Sequence, residues 1–162
     1  MVVYSTAIEL SELDLGHLAY FLGLRVNSLV VARLRRSGFK NVRESHGFLI
    51  QHLIDADRTI TELAQRMGVS QQMASKAVDE LVRLGAVERS PGADRRTKRI
   101  GLSKKGWQSI KTARQARIHI HDRLRASIGE RDYQQAMRTL IAALKELGGA
   151  EKIEGRRVSQ PG

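Results

Sequence analysis

Along residues 14–37, apolar side chains recur three and four positions apart at Leu15, Leu18, Ala19, Leu22, Val26, Leu29, Val30 and Leu34, a spacing that predicts a long helix. Phe21, Leu24 and Val31 widen the stripe until it should be buried on more than one side, and Gly38 supplies a stop. Residues 43–55, RESHGFLIQHLID, read as a second helix with Gly47 as its weak point. Thr59-Ile-Thr-Glu62 is a capping box, so a third helix starts there, turns Ile60, Leu63, Ala64 and Met67 inward, and ends at Gly68. Ser70 is suited to cap a fourth helix over SQQMASKAVDELVRLG, with Met73, Ala77, Val78, Leu81 and Leu84 inward and Gln71, Gln72, Ser75, Lys76 and Asp79 on other faces.

The period then changes from helical to two. Ala86–Ser90 and Thr97–Leu102 flank Pro-Gly-Ala-Asp and predict a β-hairpin. Ser103 opens a long fifth helix carrying Trp107, Ile110, Ala113, Ile118, Leu124 and Ile128. After Gly129 a sixth helix places Tyr133, Met137, Leu140, Leu144 and Leu147 on a seam stepping by four and three. Such a seam serves either an internal core or a second subunit. The fold class is therefore mainly α with a small β-wing, about six helices and a two-stranded hairpin.

Composition sharpens this picture. The 162 residues include no cysteine, which excludes disulfides, thiolate metal sites and thiol redox switching. No run reaches ~18 uninterrupted apolar residues and the first residues lack a leader pattern, so a cytoplasmic location is expected. The net charge is +11, and nine of those charges in excess fall between residues 56 and 128. A basic field confined to the middle of a chain suits docking on a polyanion.

The helix, short turn, helix and basic hairpin together read as a winged helix-turn-helix. A helix fits the major groove of B-DNA, so the start of the fourth helix can meet base edges there. Gln71 and Gln72 can bond adenine bidentately, Ser70 and Ser75 can pair with several groups, and Lys76 suits a phosphate. That first turn carries no acid, although the helix dipole favours one there, which implies a negative partner. On the hairpin, Arg95 or Arg96 can enter a narrow minor groove, and Lys98, Arg99, Lys104 and Lys105 can track the backbone. Asp94 can aim Arg96 by pairing with it.

Residues 59–106 resemble the MarR family of bacterial transcription regulators. The likeness rests on the E-L-A-x-R-x-G-V-S run from Glu62 to Ser70, the L-x-x-x-G-x-V-E-R run from Leu81 to Arg89, and the wing signature of Asp94-Arg95-Arg96 followed by Leu102-Ser-Lys-Lys-Gly106. With the helices before and after, it spans roughly residues 14–147. The resemblance implies a cytoplasmic homodimeric repressor on a pseudo-palindromic double-stranded DNA operator, with Arg96 as the wing arginine and Asp94 as its partner. It also implies release by a small aromatic or phenolic effector. The implied organisation is an N-terminal dimerisation helix (1–42), a DNA-binding domain (43–106), C-terminal dimerisation helices (107–147) and a flexible tail (148–162).

His17, Phe21, His46, Phe48 and Trp107 come from helices that would meet near the hinge between lobes, and form the candidate effector pocket. His46-Gly47 departs from the larger pair expected of the family at that place. No cofactor or metal is expected: His119 and His121 are two apart on a helix and diverge, whereas shared ligation prefers i,i+4. No enzyme is expected either, since neither convergent carboxylates nor a nucleophile–base pair is visible. The competing reading is an effector-independent architectural protein that coats DNA with low sequence specificity.

Overall fold

The structure is a computed structural model that describes residues 8–92 and 97–155. After a 3₁₀ turn at Leu10–Glu12 come α1 (Leu15–Arg36), α2 (His46–Gln51), α3 (Ile60–Met67) and α4 (Gln71–Arg83). The strands β1 (Val87–Pro91) and β2 (Lys98–Leu102) follow, then α5 (Lys104–Ile128), α6 (Glu130–Glu146) and the five-residue α7 (Ala150–Glu154). Six principal helices and one antiparallel hairpin match the expected class. The short α7 lies in the stretch expected to be a tail.

Local chemistry sets the boundaries of the central unit. At the start of α3, the Thr59 hydroxyl accepts from the Glu62 amide at 3.2 Å and the Glu62 carboxylate accepts from the Thr59 amide at 2.6 Å, the anticipated capping box. Those bonds hold the Glu62 carboxyl below its ordinary pKa. Gly68 ends the helix at φ 67°, a left-handed conformation that glycine adopts without the Cβ penalty. Ser70 caps α4 by accepting from the Met73 amide at 3.2 Å.

α2 is shorter than the span 43–55 that its pattern suggested. Residues on either side of it form turns, closed by bonds such as His46 N–H to Arg43 carbonyl at 3.2 Å and Leu53 N–H to Ile50 carbonyl at 3.0 Å. Arg58 then takes the His52 carbonyl through Nε at 2.7 Å and the Asp55 carboxylate at 2.6 Å, which fixes the loop into α3.

The main core gathers Leu49, Leu53, Leu63, Met67, Val78, Leu81, Val87, Ile100, Leu102 and Ile110, so α2, α3, α4, both strands and the start of α5 share one interior. A smaller core joins α1 to α5 through Val30, Leu34 and Ala116. Only these C-terminal turns of α1 are buried. Its first half leaves Leu15, Leu18, Tyr20, Phe21, Leu22 and Leu24 exposed, contrary to burial on more than one side, because within the chain α1 packs chiefly against α5. By length and composition α1 could also cross a membrane, with a mean hydropathy of 1.3 over its most apolar window.

The seam of α6 is half-buried at Met137 and Leu140 and exposed beyond them. Tyr133 is buried, with its hydroxyl bonded to His121 Nδ1 and its ring beneath the Arg125 guanidinium, whereas Leu144 and Leu147 face outward. Along α5, Ile110 and Ala116 turn inward, while Trp107, Ile118 and Ile128 stay exposed.

Candidate nucleic-acid interface

An ion pair ties α4 to the hairpin, which is itself held by backbone hydrogen bonds. Strand β1 pairs with β2 in register Val87 to Leu102 through Pro91 to Lys98, and Ile100 exchanges both backbone hydrogen bonds with Arg58, so β2 is held on both edges. Arg89 of β1 forms an ion pair with Asp79 of α4. The Gly92 amide donates to the Thr97 carbonyl at 2.7 Å where the hairpin narrows. Residues 93–96 are outside the described set, so Asp94, Arg95 and Arg96 are too.

α4 buries Ala74, Val78 and Leu81, and Ala77 and the C-cap Leu84 are half-buried against the core, so of the expected stripe only Met73 turns outward. Met73 was expected inward but lies 61% exposed, while its neighbour Ala74 is fully buried. Gln71, Gln72 and Lys76 are exposed as expected, and Ser75 is half-buried. The first turn is free of acid, and Asp79, two turns further on, is paired. That end of α4 therefore presents amides, a cation and the positive pole of the helix dipole.

The cations of β2 and of the start of α5 divide into two sets. Lys98 and Lys104 are exposed, and no described contact engages them. The half-buried Arg99 instead donates to the Asp57 carbonyl, and Lys105 donates to the Leu84 carbonyl at 2.8 Å at the end of α4. Both partners are main-chain oxygens distant in sequence, and no local spacing signalled them.

A cavity of about 350 Å³ opens between α1, α2 and α5. Val31, Leu34, Phe48, Ile54 and Ala113 supply its apolar wall, and Arg43, Arg114 and Arg117 its cations. Phe48 is the one candidate pocket residue that lines it. His46, although buried beside Gly47, does not line the cavity. His17 lies exposed at the start of α1, bonded to Asp14 at 2.7 Å. Phe21 packs edge-on against Tyr20 at 5.5 Å, and Trp107 lies exposed on the first turn of α5. The structure does not bring these last three together with Phe48.

His46 instead takes part in a link between the cavity lining and α4. Its Nδ1 accepts from the Arg43 amide at 3.2 Å, so Nε2 carries the proton and faces Glu80 of α4 at 3.4 Å. The Arg43 guanidinium, part of the cavity lining, also pairs with Glu80. Burial pushes the His46 pKa down, although the Glu80 carboxylate pulls the other way. The Glu80 carboxyl is held below its ordinary range by Arg43 and then His46. This triad spans 37 residues of sequence.

Comparison with known proteins agrees with this geometry. The model of the MarR family matches residues 45–97. A MarR-family protein from Bacillus stearothermophilus shares the fold with a TM-score of 0.65 at 21% identity, covering 83% of this chain and 93% of that one. MepR, a transcription regulator of the Staphylococcus aureus multidrug efflux pump MepA, superposes with a TM-score of 0.63 at 18% identity, covering 83% and 99%. A MepR mutant bound to an oligodeoxyribonucleotide gives 0.57 at 20% identity, covering 84% and 99%. No curated protein matches the sequence. Residues 45–97 thus match the MarR family in sequence, and the chain around them shares the fold of MarR-family structures.

Proposed function

We propose that the protein is a sequence-specific, double-stranded-DNA-binding transcription regulator of the cytoplasm, acting as a homodimeric repressor that a small effector releases. One observation carries the reading: an acid-free, amide-bearing start of α4 held rigidly beside a cationic hairpin by the Arg89–Asp79 pair. Gln71 and Gln72 address base edges, and Lys76, Lys98 and Lys104 address phosphates. Arg95 and Arg96, by their place in the sequence, reach the minor groove, with Asp94 aiming Arg96. Ser70 and Arg99 support the site from within, as cap and as clamp.

The homodimer follows from what a lone chain leaves in water. The first half of α1 and the far end of α6 expose Leu18, Leu22, Leu24, Leu144 and Leu147, an apolar surface that a second copy would cover. A pair of chains also suits two half-sites ~34 Å apart. The cavity supports effector release, because Arg43 touches both its wall and, through Glu80, the recognition helix.

Selection from a random duplex library followed by footprinting tests the reading. Two bounded half-sites are expected, and Gln72→Ala should relax one position in each by ~1–3 kcal/mol. Uniform coating that salt abolishes would favour the architectural reading instead.

A further inference from the structure

Between residues 25 and 106, Met73 is the one described large apolar side chain left exposed. The remaining exposed apolar groups lie on the 3₁₀ turn, α1, α5, α6 and α7 or just outside them. Met73 stands in the first turn of α4, beside the exposed Gln72 and one turn before Lys76 and Ala77. Its amide is tied to the Ser70 hydroxyl at 3.2 Å, so the backbone that carries the thioether is fixed. An exposed thioether contributes nothing to the cap, to the interior or to a salt link. It can, however, cover an apolar group on whatever α4 touches.

In a major groove, the apolar group presented at base edges is the C5 methyl of thymine, and an unbranched, polarisable side chain adapts to it without needing a hydrogen bond. Resting on the DNA-binding reading above, we propose that Met73 is a specificity-determining residue. Its thioether packs on a thymine methyl, one in each half-site, next to the bases addressed by Gln72.

Deoxyuridine tests this directly, because it keeps every hydrogen-bonding group of thymine and removes only the methyl. The probe is the duplex selected with the unaltered protein, re-synthesised with deoxyuridine at one thymine pair of symmetry-related positions at a time. Affinity is read by fluorescence anisotropy at fixed salt. Losing burial of about one methyl group should weaken binding about fourfold per half-site, or roughly fifteenfold when both halves are replaced.

Met73→Ala should bind the thymine duplex about as weakly as the unaltered protein binds the deoxyuridine duplex, and should be indifferent to the replacement. Met73→Leu should keep the discrimination, which separates apolar contact from any damage to α4. If no thymine pair shows the loss, or if Met73→Ala discriminates as well as the parent, the assignment is wrong while DNA binding stands. If the unaltered protein selects no duplex at all, the DNA-binding reading falls and this one falls with it.

Discussion

Gly106 offers the most direct test of how the hairpin is seated. It lies in the first turn of α5, where a Cβ would come closer than 3.0 Å to the Ala86 carbonyl oxygen and within 3.2 Å of Leu102 Cδ2. The same oxygen accepts from the Ser103 amide at 3.1 Å, the bond that joins the end of β2 to the entry of β1. Gly106→Ala must therefore push α5 off the strands or sacrifice that bond. Overpacking costs ~1–3 kcal/mol and a lost hydrogen bond with a buried partner ~1–3 kcal/mol, so about 3 kcal/mol is expected overall. For a chain of this size that lowers the melting temperature by roughly 6–12 °C.

Gly47→Ala is the internal control, since nothing lies within 4 Å of a Cβ built there and α2 would gain helix propensity. It should raise stability by ~0.5–1 kcal/mol. Both are read by urea denaturation at one fixed protein concentration, because an associating chain melts in a concentration-dependent way. A Gly106→Ala protein within about 0.5 kcal/mol of the parent, the spread of neutral surface changes, would refute the account of this contact.

Two further outcomes are expected. His46 has a depressed pKa in the folded chain, so between that value and the ordinary 6.5 the unfolded chain binds more protons. Stability should thus be complete above pH 6.5 and decline as pH falls through this window; His46→Gln should flatten the decline in pH-dependent urea melts, and an unchanged slope would remove His46 from the explanation. Leu22→Glu with Leu144→Glu places charge on both exposed apolar surfaces. Light scattering should report one chain per particle with helical content retained, and a persistent two-chain mass would locate the subunit contact elsewhere.

Features governed by neighbours in sequence were legible before the structure. The Thr59–Glu62 box, the Gly68 stop, the Ser70 cap and the hairpin each depend on side chains a few positions apart. Periodicity placed α4 and most of its inward stripe, Val78 and Leu81 being buried as expected, and missed only that Ala74 is buried where Met73 is not. Long-range pairs were beyond reach: Arg43 to Glu80, Arg99 to Asp57 and Lys105 to Leu84 join residues that only tertiary structure brings together. Of the five residues expected to form a pocket only Phe48 lines the cavity, because aromatic content does not reveal which helix ends pack together.

Arg99 and Lys105 spend their positive charge on main-chain oxygens, and this separates posture from grip. Mobile ions weaken attraction between exposed opposite charges far more than a short bond between a side chain and the peptide framework. Rising ionic strength should therefore loosen the hold of Lys76, Lys98 and Lys104 on a polyanion while the hairpin keeps its angle to α4. A chain released by salt would remain shaped to bind again on dilution.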